Sequence, residues 1–139
     1  MGDAADDQRA PGADEDLLAR LRASEELYAR TFLANPVAMS LTNADTDRFT
    51  HINSAFAELV GHNRADIIGR TSEELGFWPD RSQRDGVRRR LNESDVFPIV
   101  RGAVRKKGGE TVPVLCSFRL LAFNGTRCVL SILVPIPPE

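Results

Sequence analysis

The chain is 139 residues long, enough for one ordinary domain around a single core and too short for two of full size. Its apolar fraction of 42% excludes a wholly disordered chain, and its formal charge of −2 excludes a generally polycationic nucleic-acid binder. The longest nearly unbroken apolar run, 129–136, falls well short of the ~18 residues of a membrane-spanning helix, and no apolar signal core stands at the N-terminus. We therefore expect a cytoplasmic protein that engages neither nucleic acid nor membrane.

Residues 1–16 carry Asp3, Asp6, Asp7, Asp14, Glu15 and Asp16 against Arg9 alone, with Pro11 and Gly12 in the same stretch. Like charges and small residues predict a disordered acidic tail over 1–13. From Asp14 the pattern changes to an acidic first turn followed by Leu17, Leu18, Leu21, Tyr28 and Phe32 on one helical face. This predicts an amphipathic helix over 14–34, stopped by Asn35 and Pro36, whose stripe covers the domain's own sheet or packs on another copy. Two strands follow, over 37–41 and 48–52, around a polar turn. Asn53 is placed to cap a helix over 54–60 that Gly61 stops. A short helix over 64–68 ends at Gly69, and Thr71 with Glu74 forms a capping box for a turn of helix through Leu75. Pro79 heads a longer helix over 80–92 with Val87 and Leu91 as its apolar positions. Its arginines, Arg81, Arg84, Arg88, Arg89 and Arg90, lack the interleaved aromatics of a nucleic-acid stacking surface and read as a solvated face.

The last third is strand-like over 96–105, 110–122 and 126–134, punctuated by Gly108-Gly109 and by Asn124-Gly125, a strong two-residue hairpin signal. In the middle strand Val112, Val114, Cys116 and Phe118 share one face, with Leu115 the exception on the other. The order of elements predicts an α+β domain with short helices on one face of a five-stranded antiparallel sheet. Cys116 and Cys128 lack zinc-like spacing and lie in apolar runs, as buried thiols do; they pair only if the fold brings them together.

With that order of elements, His51-Ile52-Asn53-Ser54-Ala55-Phe56, Leu59-Val60-Gly61, Ile67-Ile68-Gly69-Arg70, Glu74-Leu75-Gly76-Phe77-Trp78 and Lys107-Gly108-Gly109-Glu110 together resemble a PAS domain, the sensory-box family of bacterial sensor kinases and related proteins. The resemblance spans roughly residues 25 to 136, with the PAS-like unit over 35–136 and a short tail at 137–139. It implies a sheet that cups a small interior and senses a ligand or cofactor, or mates with another domain. Because one fold hosts many sites, the ligand has to be argued from the interior residues.

A flavin photosensor of the same family needs an Asn-Cys-Arg motif, which is missing, and amides at the sheet positions that align with Val104, Val114 and Leu133, whose side chains neither donate nor accept. Haem-binding relatives offer an axial histidine from the long helix, where this chain has none. His51 and His62 stand elsewhere, with no acid or cysteine spacing that suggests a metal. The expected interior is almost wholly apolar. Phe56, Val60, Ile68, Phe77, Trp78, Val87 and Leu91 come from the helical half, and Val104, Val114, Phe118, Val129 and Leu133 from the sheet, with Cys116 and Ser131 as minor polar features. Such an interior admits a small hydrophobic or aromatic molecule, or is simply filled by its own side chains.

No nucleophile elbow, paired zinc histidines or phosphate loop points to catalysis, and we expect a non-enzymatic module without a bound cofactor. The two glycosylation triplets, at Asn92 and Asn124, read as chance matches. Leu17, Leu21, Tyr28, Leu130 and Ile132 are the candidates for a homodimer contact, because an exposed apolar sheet face needs a cover. Where signalling PAS domains finish in an Asp-Ile-Thr-like triplet, this chain reads Pro135-Ile136-Pro137, which disfavours a helix start and predicts an extended exit, either toward an output domain outside the chain or from a domain that acts alone through association. The leading expectation is a sensory module that signals by conformational shift. The alternatives are a ligand-free dimerisation or protein-interaction module, and a haem or flavin sensor.

Overall fold

The computed structural model describes residues 12–93 and 96–137. The tail expected over 1–13 lies almost wholly outside them. Helix α1, Ala13–Tyr28, runs into a π-helical turn, Ala29–Leu33. Strands β1, Ala38–Asn43, and β2, Phe49–Ile52, form an antiparallel pair. Three short helices follow: α2, Ser54–Val60; α3, Arg64–Ile67; and α4, Ser72–Leu75. Helix α5, Arg81–Glu93, then leads into strands β3, Val96–Arg105, β4, Thr111–Phe123, and β5, Thr126–Pro135. The five strands make one antiparallel sheet in the order β2-β1-β5-β4-β3, so that the chain's last strand lies beside its first.

Strand β1 runs two residues further than its apolar pattern indicates. A register shift between Leu41 and Thr42 keeps the pairing alive, with Thr42 opposite Phe49 and Asn43 opposite Cys128. Asn43 then ends the strand by accepting the Asp45 and Thr46 amides on its side-chain oxygen. At the β4–β5 hairpin, Asn124 and Gly125 both take positive φ, 51° and 73°, as a tight turn with matching twist requires.

The inner face of the sheet carries the main core. Val114 and Cys116 are fully buried and Phe118 nearly so, joined by Val104, Leu133 and Ala38 and covered by Phe56, Val60 and Phe77. Leu115 points outward and stays exposed. A second, smaller cluster of Phe32, Leu41 and Cys128 covers part of the outer face. The two cysteines therefore occupy opposite faces of the sheet and remain free thiols.

Asn53 joins these layers. Its side-chain oxygen accepts the Phe56 amide, capping α2, and also the Met39 amide of β1. Its amide nitrogen donates to the carbonyls of Phe32 and Val37, at 2.9 and 2.8 Å. A residue legible in the sequence only as a cap thus ties the end of the N-terminal helix to the sheet. The helical layer is pinned at its other edge by backbone bonds from Arg105 to Phe77 and from Lys107 to Val60.

Candidate functional site

A cavity of about 80 Å³ lies between α5, the segment around Phe77 and Trp78, and the inner face of the sheet. Its sheet side is formed by Ser40, Thr42, Val104, Phe118, Val129, Ser131 and Leu133. Ser40 and Ser131 are direct cross-strand neighbours, so two hydroxyls stand side by side on the floor. Phe49, Phe56, Phe77 and Trp78 supply aromatic walls, with the Trp78 and Phe118 ring centres 6.0 Å apart.

The remaining wall is α5, which contributes Arg84, Val87, Arg88 and Leu91. Their i, i+3, i+4, i+7 spacing puts them on one face of the helix. Val87 and Leu91 are buried, as the pattern predicts. The expectation of a solvated arginine face is corrected at one position: Arg81, Arg88, Arg89 and Arg90 are exposed, but the Arg84 side chain is only 17% exposed. It donates to Asp47 at 2.8 Å, and Arg88 reaches the same carboxylate oxygen at 2.8 Å. Asp47 belongs to the β1–β2 turn, with its own φ at 61°. Glu73 extends the cluster, approaching Arg84 at 3.6 Å and pairing with Arg81. The interior is therefore not almost wholly apolar. It has a greasy body and a charged wall, because a long arginine can bury its stem while its head finds a carboxylate.

Of the residues expected inside, Phe56, Phe77, Trp78, Val87, Leu91, Val104, Phe118, Val129, Ser131 and Leu133 border the cavity. Val60, Val114 and Cys116 are fully buried in the surrounding core without reaching it. Ile68 is half-buried; Ile67 takes the core position, since α3 ends there and Ile68 turns to extended backbone. Burial alone pushes the Cys116 thiol up to about 11. His51 lies edge-on to Tyr28 and to Phe123, on the outer side, and His62 packs edge-on against Phe77, 5.3 Å between ring centres. Burial, then the charge of Lys107, lowers the His62 pKa, against a smaller opposing effect of Asp66. Neither histidine borders the cavity, and among the described residues no cluster of histidine, cysteine and acidic side chains is arranged to hold a metal ion.

Flavin and haem do not fit this lining. Val104 and Leu133, which border the cavity, offer no hydrogen bonds to the polar edge of a flavin, and Val114 does not reach the cavity. A cavity of about 80 Å³ is also roughly half the ~150 Å³ that admits a single benzene ring.

The expected dimer residues divide. Leu17, Leu21 and Tyr28 are exposed on α1, which buries none of its own side chains. Leu130 and Ile132 are half-buried, and Leu130 packs on the small outer cluster with Phe32 and Leu41. Among the described residues no helix is long and apolar enough to cross a membrane.

This architecture, a five-stranded antiparallel sheet with short helices closed over one face, defines a sensory-box fold. A family model described as a PAS domain matches residues 36–134. The chain belongs to the PAS domain family. Among solved structures it is similar to the PAS domain of an HTR-like protein from Haloarcula marismortui, with 20% identity and a TM-score of 0.70, covering 88% of this chain and 99% of that one. A PAS domain from a two-component sensor histidine kinase is 14% identical with a TM-score of 0.69, covering 85% and 99%. The LOV domain of a blue-light activated histidine kinase from Erythrobacter litoralis is 16% identical with a TM-score of 0.62, covering 75% and 99%. At these identities the likeness is one of fold. A search of curated proteins finds no match.

Proposed function

We propose that this domain is a non-catalytic sensor that holds a small molecule in the cavity beneath α5 and signals by a shift of the sheet and the N-terminal helix. The observation that carries the reading is the cavity itself. Domain interiors are close-packed, and here a partly open cavity of about 80 Å³ lies beneath a helix whose buried side chains are Val87 and Leu91. Guests of a few non-hydrogen atoms fit as the walls stand, and an aromatic ring requires α5 or Trp78 to move outward. Similarity to PAS domains of signalling proteins, a sensor histidine kinase among them, supports a place in signal transduction.

Trp78 is the chain's only tryptophan and borders the cavity, so its emission reports occupancy. We expect isobutanol, and at higher concentration toluene, to change Trp78 emission saturably and to raise the melting temperature. At ten times Kd the gain is about 1.4 kcal/mol, or roughly 3 to 6 °C for a domain of this size. If neither compound moves either signal, the sensor reading fails.

Homodimerisation is the second reading, favoured by Leu17, Leu18, Leu21 and Leu27, each at least half exposed on a helix that buries none of its side chains among the described residues. The exposed pair Leu115 and Val134, cross-strand neighbours on the outer face, adds to that surface. Sedimentation equilibrium of the full chain tests it: a concentration-dependent mass that Leu17→Glu with Leu21→Glu abolishes supports the dimer, and a monomer at all concentrations refutes it.

A further inference from the structure

We propose that the cavity selects a small carboxylate with a short apolar body of three or four carbons, held at the charged wall by the guanidinium of Arg88 beside that of Arg84. This rests on the sensor reading and adds the chemical class of the guest. Among the described residues, the charged ones that border the cavity are Arg84, Arg88 and Asp47, two cations against one anion. Both guanidiniums converge on a single oxygen of Asp47 at 2.8 Å. Arg84 is further engaged on its outer side by Glu73 at 3.6 Å and Asp85 at 3.9 Å, neither of which borders the cavity. Arg88 has Asp47 as its one ion-pair partner among the described residues. A guanidinium presents a planar fork of several N–H donors that matches a carboxylate edge, and one contact to Asp47 leaves most of that fork to engage.

The other walls fix the rest of the guest. Scaled against the ~150 Å³ that admits the six carbons of benzene, about 80 Å³ accommodates roughly three carbons, which suits a short branched body with its carboxylate at the wall. Val87, Leu91, Phe118 and Leu133 receive the apolar part. Ser40 and Ser131 stand on the floor, where a hydroxylated guest finds partners. A neutral guest of the same shape gains the apolar contacts but forms no charge-assisted bond with Arg88. Charge-assisted hydrogen bonds are roughly twice as strong as neutral ones, and that difference sets the discrimination.

The test titrates the full chain with sodium isobutyrate and with isobutanol at constant ionic strength set by sodium chloride, reading Trp78 emission and melting temperature. We expect isobutyrate to bind at least tenfold more tightly than isobutanol. Arg88→Gln should lose at least tenfold in isobutyrate affinity while leaving isobutanol unchanged, and Arg88→Lys should fall between. Arg88 is the residue to vary because its side chain is 47% exposed, so the fold survives its loss more readily than that of Arg84. If isobutanol binds as tightly as isobutyrate, or Arg88→Gln leaves isobutyrate binding intact, the carboxylate assignment is overturned while the sensor reading stands. If isobutyrate, isobutanol and toluene all fail to bind, both are overturned.

Discussion

Replacing Asn53 by Ala separates the three elements that meet at its side chain. The residue is 2% exposed, and the substitution removes its bonds to Phe56, Met39, Phe32 and Val37 together. Loss of the cap on α2 costs about 1 kcal/mol. Three further backbone groups, the Met39 amide and the Phe32 and Val37 carbonyls, lose a partner, at about 1 kcal/mol each where water reaches them and more where it does not. The sum, about 3 to 5 kcal/mol, is a large part of the ~5 to 15 kcal/mol that holds an ordinary domain folded. With a urea slope of ~1.5 to 2 kcal/mol per molar, the midpoint should fall by about 2 M. Amide hydrogen exchange over residues 29–38 should accelerate beyond the global loss, because the turn after α1 is then released from the sheet. Asn53→Ser should recover the cap and little more, since its shorter side chain does not donate to two carbonyls at once. An Asn53→Ala midpoint within about 0.5 M of the parent, with unchanged exchange over 29–38, would refute the account of this residue as the joint between helix and sheet.

Three other outcomes follow from burial and charge. Val114→Asp places an unpaired carboxylate at a fully buried position and should destabilise by several kcal/mol; a variant that melts like the parent overturns the inward assignment of β4. Cys116 and Cys128 are buried and their thiols are raised by burial, so Ellman's reagent at pH 8 should label neither in the native protein and both in denaturant, and rapid native labelling would contradict the packing. His62 has a folded pKa below its ordinary 6.5, so the unfolded chain takes up its proton first and stability falls as pH drops below 6.5, levelling beneath the folded value. Melting curves at pH 7 and pH 5 should therefore differ less for His62→Gln than for the parent, and an equal difference would show that the His62 environment contributes nothing.

Local pattern carried most of the fold. Alternation in β4, the Asn124-Gly125 turn, the Asn53 and Thr71 caps and the glycine stops each act within a few residues, so the elements and their order are written in the chain itself. Periodicity also placed Arg84 and Arg88 on the face shared with Val87 and Leu91, which was the available sign that they border the cavity. Composition pointed the other way, because arginines are ordinarily solvated. Only tertiary structure decided the matter, by bringing Asp47 across 37 residues of sequence to meet them. It decided likewise that Ile67 rather than Ile68 enters the core, and that the two cysteines lie on opposite faces. Short-range backbone preferences set which elements form, whereas the burial of a charge depends on a partner that no neighbouring residue announces.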